Sequence, residues 1–389
     1  MINQIKKLAI AYFDEIVEIR RHIHQHPELS FHEHKTSTFI KSILTKWDLP
    51  FTDGIADTGI VVVLKGNNSD IKTLALRADF DALPIQEEND VSYCSQNDEV
   101  MHACGHDAHT ASLLGTLKIL NELKTDWEGT LKFIFQPAEE MLPGGAQQMI
   151  KEGVLENPKV DTIIGQHVFP DLEVGKVGFR PAKYMASTDE LHITVKGKGG
   201  HAALPEKYNN PLLAAAKLIT ELDTSFKKDK DRPSVLAIGF IEGIGSTNVI
   251  PEIVRLKGTL RAMDEDFRNK AHQQMQAIAN TVAQSYNLEI DFDIRKGYPC
   301  LINDEKVTEK SIAFAKEYMG EDNVIDLPIR MTAEDFAYYS QIIPACFYRL
   351  GTANTEKGIT GGLHTSNFNI DEDALKIGMG LMAYLAIKN

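Results

Sequence analysis

The 389-residue sequence predicts a discontinuous α/β domain, a mixed, mostly parallel sheet covered by helices, interrupted by an inserted α+β domain of ferredoxin-like type. Three observations carry that expectation. At about 150 residues per domain the chain is too long for one. Strand-like and helix-like periods alternate in the first part of the chain and again near its end, the mark of a largely parallel sheet. Between them the order changes to β-α-β-β-α-β, a split βαβ unit of about 110 residues.

The elements follow in order. Ile5, Leu8, Tyr12, Ile16, Ile19 and Ile23 recur at steps of three and four, which predicts one amphipathic helix ending before Pro27. A second helix runs through Phe39, Ile40, Ile43 and Leu44. Gly59 to Leu64 and Thr73 to Ala78 read as buried strands, Ala108 to Leu123 as a helix, and Thr130 to Phe135 as a strand. Helix 145–151 and strand 160–166 continue the rhythm. Within the insertion, Leu191 to Val195 alternates with period two, followed by helix 211–223, strands 235–241 and 252–262, helix 265–284 and strand 287–295. Helix 305–318, a short strand near Val324, helix 333–341, strand 346–350 and helix 371–387 close the chain. The expected domains are therefore 1–185 with 298–389, and 186–297.

Composition narrows the function classes. Lys and Arg number 41 against 55 Asp and Glu, a net charge of −14. The cationic surface that nucleic-acid binding needs is not there. Hydrophobic residues at 43% and charged residues at 25% match an ordinary globular protein. The uncharged stretch Ile377 to Ile387 is about half of a bilayer span, so no transmembrane helix is expected. The N-terminal run from Met1 to Glu15 has no uninterrupted apolar segment, which makes a cytoplasmic location the expectation. Cys94, Cys104, Cys300 and Cys346 are too scattered for a disulfide framework, so a Cys with a role here is a ligand or a nucleophile.

In open α/β sheets, ligands bind beyond the carboxyl ends of the strands. The residues that follow the predicted strands are unusually polar. Arg77-Ala78-Asp79-Phe80-Asp81 ends one strand, Gln136-Pro137-Ala138-Glu139-Glu140 follows another, and His167 follows a third. Met101-His102-Ala103-Cys104-Gly105-His106-Asp107 opens the helix at 108. Carboxylates, imidazoles and a thiol gathered at one rim suit a metal-assisted hydrolase. Cys104 and His106 can share a cation, and of Glu139 and Glu140 one can coordinate while the other moves protons. Other motifs fail their context. The tract Arg20 to Glu28 with His32 and His34 straddles a helix end and a Pro turn. Gly197-Lys198-Gly199-Gly200 is followed by Pro205 rather than a helix start, which is not a phosphate cradle. On residues alone, a thiol hydrolase using Cys104, a metal-binding regulator without turnover and a peptidase for short peptides stay open.

Five segments in order, Arg77 to Pro84, Met101 to Asp107, Phe135 to Glu140, Gly199 to Pro205 and Met331 to Phe336, closely resemble the N-acyl-amino-acid amidohydrolases. That group includes aminoacylases, N-acetyldiaminopimelate deacetylases and auxin-conjugate hydrolases, among the dinuclear metallopeptidases. The resemblance spans nearly the whole chain. It implies hydrolysis of the amide bond of N-acyl-L-amino acids or short peptides, by a metal-bridging water activated by Glu139 as general base. Two divalent ions are implied, Mn or Zn, with Co or Ni as alternatives, held by Cys104, His106, Glu140, His167 and His364. Asp81 is implied in the catalytic machinery beside them. His201 matches a histidine that stabilises the oxyanion from a neighbouring subunit, and Asn248 and Arg261 match substrate-binding positions. The inserted domain becomes a lid and dimerisation domain, giving a homodimer able to pair into a tetramer. Wider relatives carry a ligand His where this chain has Asp79, so the first ligand is open between Asp79 and Cys104. The segment Met141-Leu142-Pro143-Gly144-Gly145 also departs from the glycine run of many members, which leaves acyl specificity open.

Overall fold

A computed structural model describes residues 1–226 and 233–389, and these form two compact units. The first comprises Met1–Ala182, Ile302–Pro328 and Asp335–Asn389; the second comprises Lys183–Leu301 and Ile329–Glu334. Among the described residues no helix is long and apolar enough to cross a membrane.

The first unit is built on an eight-stranded sheet. Its order is Phe51–Ile55, Gly59–Lys65, Thr130–Gln136, Thr73–Asp79, Thr162–Glu173, Ala345–Ala353, Val177–Phe179 and Val324–Asp326. Four of the ladders are parallel and three antiparallel; three of the parallel ones hold the centre and the fourth lies at one edge. Thr73–Asp79 and Thr130–Gln136 are buried along their whole length, as continuous apolar strands in a covered sheet must be. Helix His106–Glu122 is buried on nearly every face. It packs against the closing helix Asp373–Lys388, where a Cβ at Gly115 would lie 2.6 Å from Met379 Sδ. A methyl group at that crossing would force the Met379 side chain to shift.

Four expectations need correction. The first predicted helix is two, Ile2–Ala11 and Phe13–Gln25, broken at Tyr12. Hydrophobic spacing registers the buried face, which continues across the break, and is blind to a one-residue change in backbone path. The predicted helix 333–341 shrinks to Ala337–Ser340. Its intended first turn is diverted because the Asp335 N–H goes to a Glu139 carboxylate oxygen (3.3 Å) and the Asp335 side chain to Arg77 and Gln136. The strand read as 160–166 extends over Thr162–Glu173 and carries His167 inside it. Strands Phe51–Ile55 and Val177–Phe179 had no sequence signal strong enough to be read, since their pairing partners are supplied by the sheet.

The second unit has an antiparallel sheet ordered Ser234–Glu242, Ile253–Ala262, Asp189–Lys196, Glu289–Lys296, crossed by helices Pro211–Ser225 and Glu265–Tyr286. Leu191, Ile193 and Val195 alternate inward onto Leu218, Leu222 and Met275. Asn210 and Asp264 cap the two helices through their side chains. The two outer strands differ. Glu289–Lys296 carries Asp291, Asp293, Arg295 and Lys296, which blunt an edge, whereas Ser234–Glu242 exposes Val235, Phe240 and Ile241.

Candidate metal centre

The site is assembled from turns that leave the sheet of the first unit. Beyond Thr73–Asp79, the Asp81 carboxylate accepts from Ser30 Oγ (2.6 Å) and from the backbone N–H of Glu140 (2.9 Å), and its other oxygen lies 3.0 Å from His106 Nδ1. One buried carboxylate thus orients an imidazole and anchors the turn bearing the paired glutamates. With Nδ1 occupied, His106 Nε2 is left facing the site. It lies 3.8 Å from Glu140 Oε1, and both atoms are buried without a hydrogen-bond partner.

Gly105 caps the helix that begins at His106 with φ +80°, a conformation only glycine adopts freely, and its missing Cβ would sit 2.5 Å from Val168 Cγ2. That turn presents Cys104, whose Sγ lies 3.5 Å from His167 Nε2. His167 Nδ1 donates to the Val168 carbonyl at 2.7 Å, leaving the Nε2 lone pair toward the thiol. From the C-terminal segment, His364 (φ +61°) donates its backbone N–H to Ala103 O, and its Nε2 lies 3.3 Å from Glu140 Oε1. Two three-donor groups result, Cys104 with His106 and His167, and Cys104 with Glu140 and His364, each with donor atoms within 4.8 Å of one another. They share the Cys104 sulfur. His106, Glu139 and Glu140 form a further such group.

Asp79, His106 and His109 also lie within 4.8 Å of one another. There the donors are already engaged. Asp79 takes Arg77 on one oxygen and His109 Nδ1 on the other, both at 2.6 Å, and His109 Nε2 accepts the Val168 N–H at 2.8 Å.

Electrostatics follow from burial. Burial, with the Glu140 and Glu139 carboxylates beside it, pushes the Cys104 thiol well above its ordinary value, so a free nucleophilic thiolate is disfavoured and the thiol-hydrolase alternative loses its basis. Burial alone would lower His106, yet Asp79, Asp81 and Glu140 raise it to about 10. Burial and Arg349 push His167 far down, which keeps it neutral. The Glu140 carboxylate beside it raises His364. Burial opposes ionisation of Asp79, but Arg77, His106 and His109 hold it well below the carboxylate range. Carboxylates around a thiol, with two orphaned buried atoms facing them, are mutually unfavourable without a cation and well matched to one. The residues present fit a divalent pair.

Supports of this site lie in residues that the sequence did not single out. Glu33 accepts the backbone N–H of Ala138 (2.9 Å) and of Phe31, and hydrogen-bonds Thr58 Oγ1. It thereby pins the Ala138 turn (φ +53°) below Glu139; burial and Asp81 raise it to about 7. Nothing in the tract around His32 and His34 marks it. Asp335 holds Arg77, Gln136 and the Ala146 N–H, and only the family-like segment around it gave a signal.

The second unit brings His201 and Asn248 together. Gly200–His201 pairs with Val249–Ile250, and the Ala202 N–H donates to Asn248 O. Both side chains are exposed, and His201 Nδ1 accepts the Ala203 N–H at 3.1 Å. Arg261 lies elsewhere. It is half-buried near the far end of strand Ile253–Ala262, eight residues from the end that leads to Asn248, roughly 26 Å at about 3.3 Å per residue.

Residues 75–388 match the model of peptidase family M20/M25/M40. The chain belongs to this family. An N-acetyl-L-cysteine deacetylase of Bacillus subtilis is 36% identical over 363 residues, covering 93% of this chain and 85% of that protein. Thermostable carboxypeptidase 2 of Saccharolobus solfataricus is 36% identical over 391 residues, covering 99% and 97%. The solved structure of the Bacillus subtilis YxeP protein, described as a dinuclear metal-binding peptidase from the M20 family, has 33% identity and a TM-score of 0.82, covering 97% and 98%. This family member is a metal-dependent hydrolase acting on amide or peptide bonds.

Proposed function

We propose that this M20 hydrolase cleaves the amide bond of N-acyl-L-amino acids or short peptides, with Glu139 as general base. The observation that carries the reading is the convergence of Cys104, His106, Glu140, His167 and His364 beside Glu139, in two donor groups that share one sulfur. These five residues would hold two divalent ions. A thiolate with imidazoles favours zinc, cobalt or nickel over the harder manganese. When bound, such ions polarise an amide carbonyl and make a water more acidic.

The protein's own groups do the rest. Glu139 takes a proton from the attacking water and delivers it to the departing amine nitrogen. Asp81 keeps His106 in the tautomer that turns Nε2 to the site. His201 donates to the oxygen that gains charge in the transition state, and Asn248 and Arg261 hold the substrate. Within the second unit, Arg261 lies near one end of strand Ile253–Ala262, and the separate two-stranded ribbon that carries His201 beside Asn248 leads into the other end. That separation supports a site completed across a homodimer, where His201 and Asn248 serve the partner. The apolar edge Ser234–Glu242, with Phe240 at 42% and Ile241 at 55% exposure, supports the second unit as dimerisation domain and lid.

Glu139→Gln tests the assignment of the base. The variant is expected to keep the parent's metal content and lose roughly 100- to 10,000-fold in kcat on N-acetyl, N-benzoyl and dipeptide substrates screened in parallel. Activity within threefold of the parent would remove Glu139 from that role.

A further inference from the structure

We infer that Arg20 is a positioning residue for the metal centre, clamping together the two chain segments that carry Cys104 with His106 and His364. The inference rests on the reading above that these residues bind metal.

Arg20 is fully buried on helix Phe13–Gln25, more than 80 residues before the nearest proposed ligand, and its fork is divided between segments. Nε donates to Asp107 Oδ2 at 2.6 Å, one NH2 group donates to Asn369 Oδ1 at 3.0 Å, and the other reaches Glu372 at 3.3 Å. Asp107 follows His106 directly, in the first turn of its helix. Asn369 lies five residues past His364. The same two segments meet at the site itself, where the His364 N–H donates to Ala103 O.

A second tie runs parallel to the first. His24, one turn after Arg20, lies 2.8 Å from Asp107 through Nδ1 and 3.0 Å from Glu87 through Nε2. Asn89 donates to that Glu87 carboxylate and to the carbonyl of Phe368. The two cations, Arg20 and His24, thus face Asp107 and Glu87 in a buried charge set that reaches the segment after His364 at Asn369, Glu372 and, through Asn89, Phe368, while Ser95 and Tyr93 close its other side. None of these groups reaches the donor atoms. Their effect on metal binding passes through backbone position alone.

Holding is needed because His364 sits at φ +61°, a backbone conformation that a non-glycine residue adopts only at a cost. His364 is also the exposed member of the donor set, with 52% of its side chain accessible, so packing alone does not hold it. Releasing Arg20 should therefore weaken the cation served by His364 more than the one served by His106 and His167.

The test uses zinc-loaded holoprotein equilibrated against a competing chelator, reading the dissociation constant of each zinc, with thermal unfolding followed separately. Arg20→Met should weaken one zinc by roughly 10- to 100-fold and leave the other within about threefold. Since removing a buried cation can unfold the chain, Asn369→Ala offers a milder cut of the same tie. It should weaken the same zinc, and Asn369→Asp, which restores the acceptor, should recover it. A general loss of stability would move both zincs together and would not be rescued by Asp. His364→Ala serves as control and should lose that zinc. If it does, while folded Arg20→Met or Asn369→Ala keeps both zincs at parental affinity, the inference is wrong and the ligand reading stands. If His364→Ala keeps both, the ligand reading fails and the inference with it.

Discussion

At the scale of single residues, the molecule concentrates its buried charge around one rim and balances it group by group. Asp79 has Arg77, Asp81 has His106, and Asp107 has Arg20 and His24. Buried charges persist only when paired in this way. Glu87 illustrates the consequence for acid stability. Burial raises it, but its contacts with His24, the Ser95 N–H and Asn89 outweigh that and bring it down to about 2. A carboxylate lowered in the folded state contributes stability that is complete above its unfolded value, about 4.3, and is lost as pH falls through the folded value. Between about pH 4.5 and 2 the native protein should therefore lose on the order of 2 kcal/mol from this group, screening included. Glu87→Gln should flatten that part of the profile of urea midpoint against pH, and a profile of unchanged slope would assign the acid limb to other carboxylates.

At the scale of elements, positions are set by how closely backbones approach. Helix His106–Glu122 carries a ligand at its first residue, so its placement against helix Asp373–Lys388 sets where that ligand points. At Gly115 the neighbouring Met379 leaves no room for a methyl group, and Ile16 Cγ1 lies 3.2 Å from the missing Cβ on the other side. Gly115→Ala gains helix propensity worth about 1 kcal/mol. Overpacking costs about 1–3 kcal/mol, so the net expectation is destabilisation by up to about 2 kcal/mol, with a lower Tm and weaker metal retention. A Tm equal to or above the parent's would show that Met379 yields freely. The element scale is also where sequence spacing was least informative. The loss of the helix before Ala337 arises from partners distant in sequence, and a window of neighbouring residues cannot contain them.

At the scale of the whole molecule, the proposed function makes catalysis a property of two copies. Glu139→Ala and His201→Ala proteins should each be inactive alone. Dissociated, mixed and reassociated, they should regain activity, because a mixed dimer holds one site with both residues and one with neither. Random pairing makes about half of the dimers mixed, so recovery should approach roughly a quarter of wild type if the sites act independently. No recovery, with heterodimers shown to have formed, would assign His201 to its own subunit or to no catalytic role.

The sequence by itself determined the α/β class, most of the helices and strands, and the polar segments at strand ends, because periodicity and turn chemistry are local and each strand end is read from its own neighbours. It also carried the family-like segments that contain Cys104, His106, Glu139 and Glu140, and the resemblance they establish implied His167 and His364. Only the tertiary structure decided how Asp79 and Cys104 differ. Both are buried acids near His106, and no spacing rule separates them. The fold gives Asp79 to Arg77 and His109, while Cys104 faces His167 with its sulfur common to two donor groups. The same holds for Glu33, Arg20 and Asp335, whose distant partners lie between 25 and 352 residues away along the chain. Their roles come from charge and hydrogen bonding in a buried, low-dielectric space that exists only once the chain has folded.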